Sequence, residues 1–451
     1  LILDLEPLSY TDKILLSDDF FQKQVIFAQL DVENFDPQRL VDAMIERAFM
    51  ILPKFSKVLT YRLFNYYWVK SEKPFSEIIN ERIIRLKPMT EEELNDFKKE
   101  ELLKDMDPFI CPIVFFIIPF AESRQEDGSH SRGCLIVKND HVFSDGMGLC
   151  TLLVTISDNF SKKLYPRILL DRSISFLGNV RDFLLFLVFG VPIIIYLIVT
   201  TKSRITFSQL PRSKITAFTK PAVFDLLQIK KRAKEIGYSI NELMVATLLA
   251  ALKKYRPEGT QANMEVAISL TPIPDTKEEI ELKNYVFALF SPMHLIEDPI
   301  KEMKTVKEDF KSMFKQATIV RISTWGTWFI YGVLPFNWAK ELAMGVLREV
   351  DIVSSNLPGT VEPVSINENK IVSILPYTTT GITTNFFPLI SYNGMVKAVG
   401  VYDGGQDFDA EIVIKFFESI MNKILYSEEG AELTSSMNMN VNSNREALNI
   451  A

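Results

Sequence analysis

Lys138-Asn139-Asp140-His141-Val142-Phe143-Ser144-Asp145-Gly146-Met147-Gly148 is the stretch on which the fold and the chemistry of this chain turn. It follows a short apolar run, Cys134 to Val137, whose composition predicts a strand ending at the edge of the quoted residues. The chain has only three histidines, His130, His141 and His294, and of these only His141 lies between a strand and a glycine-punctuated turn. An imidazole with an ordinary pKa of about 6.5 is mostly a free base at neutral pH. Asp145 lies four residues on, and Gly146 and Gly148 let the backbone turn sharply behind it. On the residues alone, His141 is either a general base held in a fixed pose or a histidine that merely completes a turn or a core.

Outward from this stretch, length and composition set the frame. A chain of 451 residues is long for one core, so two lobes are expected. Hydrophobic residues make up 47% and aromatic residues 11%, which points to membrane contact or a lipid-lined cavity. The net charge of −7 argues against nucleic acid as a partner. Cys111, Cys134 and Cys150 have neither metal-ligand nor paired spacing and read as reduced thiols of a cytosol-facing protein. No signal peptide is read at the start.

Before the quoted stretch, Val25 to Leu30 reads as a strand, and Asp36-Pro37 caps a helix from about Gln38 to Met50. Val58 to Leu63 and Tyr66 to Val69 read as an aromatic hairpin. Thr90 to Asp105 reads as a charged helix, and Ile113 to Phe120 as a strand. His130 falls in a polar loop and is expected in solvent. Leu149 to Phe160 makes an apolar helix behind the turn.

Phe183 to Thr201 is nineteen residues without a charge, flanked by Arg181 and by Lys202 and Arg204. That length matches the roughly 20 residues that cross a bilayer, although a buried core helix has the same composition. Gly190 and Pro192 at its middle break a helix ladder. A re-entrant hairpin or an interfacial helix is therefore expected rather than a span. Further on, Ser239 and Glu242 form a capping box ahead of an apolar helix. Met264 to Leu270, Asn284 to Pro292 and Ile382 to Ile390 read as strands, Asn393-Gly394 as a hairpin turn, and Ala410 to Leu425 as a helix. Trp325, Trp328, Phe329, Tyr331, Phe336 and Trp338 suit a core, a membrane-facing surface or an acyl-chain tunnel equally.

Asp140 to Gly146 resembles the His-His-x-x-x-Asp-Gly motif of the wax ester synthase/diacylglycerol acyltransferase family, part of the chloramphenicol-acetyltransferase-like superfamily that includes peptide synthetase condensation domains. Pro7-Leu8-Ser9-Tyr10-Thr11-Asp12 resembles the family's opening Pro-Leu-Ser-x-x-Asp, and Ser355-Asn356-Leu357-Pro358-Gly359 its Ser-Asn-Val-Pro-Gly loop. Asn241-Glu242 is similar to its Asn-Asp element, with the cap chemistry sufficient to explain it. Asp140 departs from the family, which has histidine there, and Pro108-Phe109-Ile110 is a loose match to its Pro-Leu-Trp.

The resemblance implies an α/β fold of two chloramphenicol-acetyltransferase-like lobes with mixed sheets and an apolar, membrane-associated segment between them. Residues 1–165 would form the N-terminal lobe, 174–204 the apolar segment, 205–427 the C-terminal lobe and 428–451 a disordered polar tail. It implies transfer of a fatty acyl group from acyl-CoA, the co-substrate, to a long-chain alcohol or diacylglycerol, with no metal and no other cofactor. His141 would be the general base. Asp145 would hold the loop by an ion pair and Gly146 would make the close turn. Asn356, Ser355, Thr383, Thr384 and Asn284 are candidates for oxyanion or substrate contacts. Asp140 beside His141 would raise the imidazole pKa. Membrane lipid is an expected partner, with the cytosolic face of the endoplasmic reticulum as the expected place. The alternative is a catalytically silent homologue serving as a structural or lipid-binding subunit of a membrane assembly; the retained His141, Asp145, Gly146 and Ser355–Gly359 loop weigh against it.

Overall fold

A computed structural model of the chain describes residues 5–16, 24–62, 65–126, 130–165, 216–269, 273–313, 350–379, 385–405 and 408–426, with residues 178, 180–181, 183–188 and 338. Two mixed sheets organise it. The first has six strands in the order Ser365–Ile366, Asn369–Thr378, Val25–Glu33, Arg132–Asp140, Ile113–Pro119 and Ile83–Arg85. The second has eight, with Gln261–Ser269, Ile352–Pro358 and Asn385–Tyr392 side by side in parallel at its centre. A small three-stranded sheet joins Glu6–Pro7 to the hairpin Lys57–Arg62 and Asn65–Lys70.

Arg132–Asp140 is buried at every residue but the first, as a central strand covered on both faces must be. Helix Gly146–Ile156 and the turns Pro37–Phe49 pack on the face that carries Leu30, Leu135 and Val137. Leu94 and Phe97 of helix Glu91–Leu103 cover the face of Phe116 and Ile136. In the second sheet, helices Ile240–Tyr255 and Ala410–Tyr426 bury one face over Met264, Ile352 and Leu389.

Local chemistry sets the element ends. Asp36 accepts from the N–H groups of Gln38 and Arg39, with Pro37 at the first helical position. That helix ends at Met44 and continues as a π-turn over Ile45–Phe49, so the run expected to Met50 is helical but not α throughout. Ser239 and Glu242 make the expected capping box. Asn393 and Gly394 have φ of 49° and 75°, the left-handed pair that a two-residue hairpin needs. The helix behind the His141 turn begins at Gly146, three residues before the expected start, because Asp145 caps it.

The division at residue 205 needs correction. Ser365–Ile366 and Asn369–Thr378 come from the C-terminal half, yet they complete the N-terminal sheet. Asn369–Thr378 runs antiparallel to Val25–Glu33 from Lys370↔Glu33 to Thr378↔Ile26. Without it, the backbone of an apolar strand would be left as an open edge. The Tyr392 hydroxyl fastens the crossing by donating to the Ile371 carbonyl at 2.9 Å and accepting from the Val364 N–H at 3.0 Å. At its end, Thr378 donates its hydroxyl to the Val25 carbonyl at 3.0 Å, and Thr379 accepts from the Val25 N–H at 2.9 Å.

Most of the apolar segment expected at 183–201 lies outside the described residues, as do the 325–336 aromatic cluster and the tail; Trp338 is exposed. Among the described residues no single helix is long and apolar enough to cross a membrane.

A fragment of residues 1–165 lacks the crossing strand. It is expected to show no cooperative thermal unfolding and to aggregate through the Val25–Glu33 edge. A sharp calorimetric transition in the isolated fragment would contradict the shared sheet.

Candidate active site

His141 stands where Arg132–Asp140 ends, and its backbone N–H donates to the Gln24 carbonyl at 2.8 Å. Val25 beside that carbonyl is the residue gripped by Thr378 and Thr379, so the crossing strand props the base of the turn. Asn139, fully buried, donates its amide to the carbonyls of Asp140 at 2.8 Å and Ser144 at 3.1 Å, closing the loop from inside.

The imidazole Nδ1 lies 2.9 Å from Asn284 Oδ1. The amide orientation is fixed, because Asn284 Nδ2 faces two acceptors: Asp12 Oδ1 at 2.7 Å and the His141 carbonyl at 2.7 Å. Oδ1 can only accept, so Nδ1 must carry the ring proton. The lone pair is then on Nε2. Asp12 is itself buried and locked by the capping box with Ser9 at the start of helix Tyr10–Leu15. It also accepts from the Asn284 backbone N–H at 3.2 Å. Three segments far apart in the chain thus meet in one line, Asp12 to Asn284 to His141.

The electrostatics differ from those expected. Burial holds the His141 pKa below its ordinary value, opposed by a hydrogen bond to its own backbone, the Asn284 hydrogen bond and the Asp12 charge. Asp140 Oδ1 accepts from the Val142 N–H at 2.9 Å, as a short polar side chain at a turn commonly does. The carboxylate whose charge favours the imidazolium is Asp12.

Asp145 is also corrected. Among the described residues no cation forms an ion pair with it. Instead it caps helix Gly146–Ile156 by accepting from the Gly148 N–H at 2.7 Å, and its second oxygen accepts from the Tyr285 N–H at 2.8 Å. Burial pushes its carboxyl up to about 6, with the Gly148 and Tyr285 amides pulling the other way. Gly146 begins the helix, and a Cβ there would meet Leu357 Cδ1 at 2.8 Å.

That contact places the Ser355–Gly359 loop against the turn. Along Ile352–Pro358, alternate side chains face opposite ways. Leu357 points at Gly146, so Ser355 shares its face. Asn356 sits beside Leu389, on the face that Ile352 and Leu389 bury under the helices. By that alternation Asn356 lies on the face of Leu389, and Ser355 is the polar residue of the loop on the face of Leu357. Asn284 holds the imidazole through its Oδ1. Thr383 and Thr384 lie outside the described residues. Two participants went unassigned in the sequence: Asp12, quoted only within the opening motif, and Lys54, which donates to the Phe143 carbonyl inside the loop at 2.7 Å.

Beside the turn lies a small apolar cavity of about 60 Å³ between the six-stranded sheet and helix Gly146–Ile156. Ala28, Leu30 and Val137 form its floor, Leu149, Cys150 and Leu153 its helical wall, and Leu357, Ile390 and Ile374 its far side. Both sheets therefore contribute to it. Burial pushes the Cys150 thiol up to about 12, so it is a neutral wall residue and not a nucleophile.

Comparison with known proteins agrees with this architecture. Residues 283–424 match the family model described as the WS/DGAT C-terminal domain. A stretch of 157 residues is 22% identical to the O-acyltransferase WSD of Acinetobacter baylyi, covering 34% of this chain and 34% of that protein, so the match spans about a third of the relative's length. In structure, the chain is similar to the wax ester synthase/diacylglycerol acyltransferase from Marinobacter aquaeolei VT8, with a TM-score of 0.62 at 16% identity over 93% of this chain and 98% of that one. The TRI3 trichothecene 15-O-acetyltransferase from Fusarium sporotrichioides aligns with a TM-score of 0.60 at 13% identity over 93% and 92% of the two chains. The resemblance seen in the motifs is borne out: residues 283–424 match the C-terminal domain model of the wax ester synthase/diacylglycerol acyltransferase family, in a chain whose fold is similar to that of the Marinobacter protein along nearly its whole length.

Proposed function

We propose that this chain is an acyl-CoA-dependent O-acyltransferase that esterifies a long-chain alcohol or diacylglycerol, with His141 as general base. The observation that carries the proposal is the tautomer: Asn284 leaves the Nε2 lone pair free on a neutral imidazole. Nε2 takes the proton of the acceptor hydroxyl as its oxygen attacks the thioester carbonyl. The C–S bond then breaks, and the CoA thiolate takes the proton back from Nε2, so the thiol leaves and the base is restored. Of the candidate oxyanion donors, Ser355 has the supporting placement, and Thr383 and Thr384 remain candidates. The apolar cavity suits an alkyl chain, and the names of the Acinetobacter and Marinobacter relatives point to the same chemistry.

Residues 183–188 are helical, and Val180, Leu184, Leu187 and Val188 are exposed at helical spacing, the last two at 61% and 67%. An apolar face left in water in this way fits an interfacial helix. We propose that this face, continued by the uncharged run to Thr201, attaches the protein to the cytosolic leaflet of a membrane, with the endoplasmic reticulum as the expected organelle.

His141→Ala should lower acceptor-dependent CoA release from palmitoyl-CoA, with hexadecanol or diacylglycerol, by about 10²–10⁴-fold. Equal release by the variant would end the base assignment. Asn284→Leu should reduce kcat by about 10²-fold with little change in KM. Because burial lowers the His141 pKa, the protonated, inactive form accumulates only in more acid solution. The acid limb of kcat/KM should therefore lie below the ordinary imidazole value of about 6.5, and a limb above it would contradict the burial. For the membrane, L184E/L187E should abolish co-sedimentation with phosphatidylcholine/phosphatidylserine vesicles, and undiminished sedimentation would remove this helix from the membrane contact.

A further inference from the structure

Lys54 lies in the short turn Pro53–Ser56, far from the catalytic motif in sequence. The turn is anchored from outside by Arg82, which is buried and whose guanidinium donates to the carbonyls of Phe55 and Lys57. The Lys54 ammonium is aimed inward. It donates to the Phe143 carbonyl at 2.7 Å and to the Leu282 carbonyl. The rings of Trp68 and Phe143 lie over it, with centroids 4.5 Å and 5.1 Å away. Two strong donor contacts and two aromatic faces satisfy a cation that burial would otherwise penalise.

The positions of the two carbonyls matter most. Phe143 lies two residues after His141, and Leu282 lies two residues before Asn284. One ammonium thus bridges the loop that carries the base and the peptide that carries its orienting partner. Asp145 makes the mirror contact: its carboxylate bridges the N–H groups of Gly148, on the loop side, and Tyr285, just past Asn284. A cation holding two carbonyls and an anion holding two amides clamp Asn284 from both sides. The bond between them, Asn284 Oδ1 to His141 Nδ1, joins residues 143 apart in sequence and is lost if the two segments slide.

We propose that Lys54 is a positioning residue for acyl transfer, whose ammonium sets the register between the His141 loop and the Asn284 peptide; this rests on His141 being the base. The surroundings give it a pH signature. Burial lowers the Lys54 pKa to about 8; the Asp12 and Glu6 carboxylates favour its charged form, and Lys283 and Lys57 oppose it. Loss of the charge in mildly alkaline solution weakens both charge-assisted bonds and releases the clamp.

The test is Lys54→Met in the full chain, which keeps the length of the side chain and removes the ammonium. Its kcat for ester formation should fall about 10- to 100-fold, the cost of a misplaced base, with KM for palmitoyl-CoA within about twofold. The wild-type decline in kcat as pH rises through about 8 should vanish in the variant. A folded K54M with wild-type kcat overturns the proposal. If K54M does not fold, Lys54→Arg serves: its guanidinium does not deprotonate in this range, so K54R should keep activity to higher pH. A K54R that retains the wild-type alkaline decline also overturns it. If the wild type makes no ester, the base assignment falls instead. Long-range ¹H–¹⁵N spectra of the His141 imidazole then decide the clamp on their own: a single Nδ1–H tautomer in wild type giving way to a mixture in K54M supports it, and an unchanged tautomer sinks it.

Discussion

A neutral imidazole offers one basic nitrogen, and the whole site depends on which one it is. Nothing in the ring decides this; the answer comes from what the other nitrogen touches. Here the choice passes along a relay of groups that cannot be reversed. A carboxylate can only accept, so it takes the amide protons of Asn284; the amide oxygen can then only accept, so it takes the ring proton of His141. Reversing any member would leave two donors or two acceptors facing each other in a buried place, at a cost of about 1–3 kcal/mol. An amide between carboxylate and imidazole also keeps full negative charge from direct contact with the ring. That agrees with an imidazole whose pKa burial can still hold down.

The same reasoning explains the many buried charges around the site. Asp12, Asp145, Lys54 and Arg82 are each screened by backbone amides or carbonyls rather than paired only with one another. Backbone groups are fixed by the fold, so each such contact converts a charge into a positional constraint on a particular peptide. The apolar wall on the other side of the turn has no such contacts: Leu149, Leu153 and Leu357 offer shape alone. Polar restraint holds the imidazole, and apolar space lies beside it.

Much of this was legible in the sequence, for definite reasons. His141, Asp145 and Gly146 lie within seven residues of one another, so their relation is local and a motif can carry it. The capping box at Ser239 and the Asn393-Gly394 turn are equally local and were read correctly. What the sequence hid was non-local. Asn369–Thr378 is an apolar strand whose composition gives no sign that its partner is Val25–Glu33. Lys54 looks like any surface lysine until the fold surrounds it with Trp68 and Phe143. The family resemblance implies an ion pair for Asp145, yet two backbone amides suffice here. Asn356 was favoured for its side-chain chemistry, but strand alternation sends it to the other face.

The crossing strand also has a consequence for how the molecule comes into being. A ribosome releases the chain from the N-terminus, and Val25–Glu33, Ile113–Pro119 and Arg132–Asp140 emerge long before residue 378 does. Throughout that interval the emerging sheet carries an apolar strand with one side unmatched, the geometry that nascent chains lose to intermolecular association. Pairings that span some 350 positions are among the slowest to form, because the entropy of closing so large a loop is spent before any contact repays it. His141, hung from Gln24 beside that strand, therefore gains its full support only after the crossing strand has emerged.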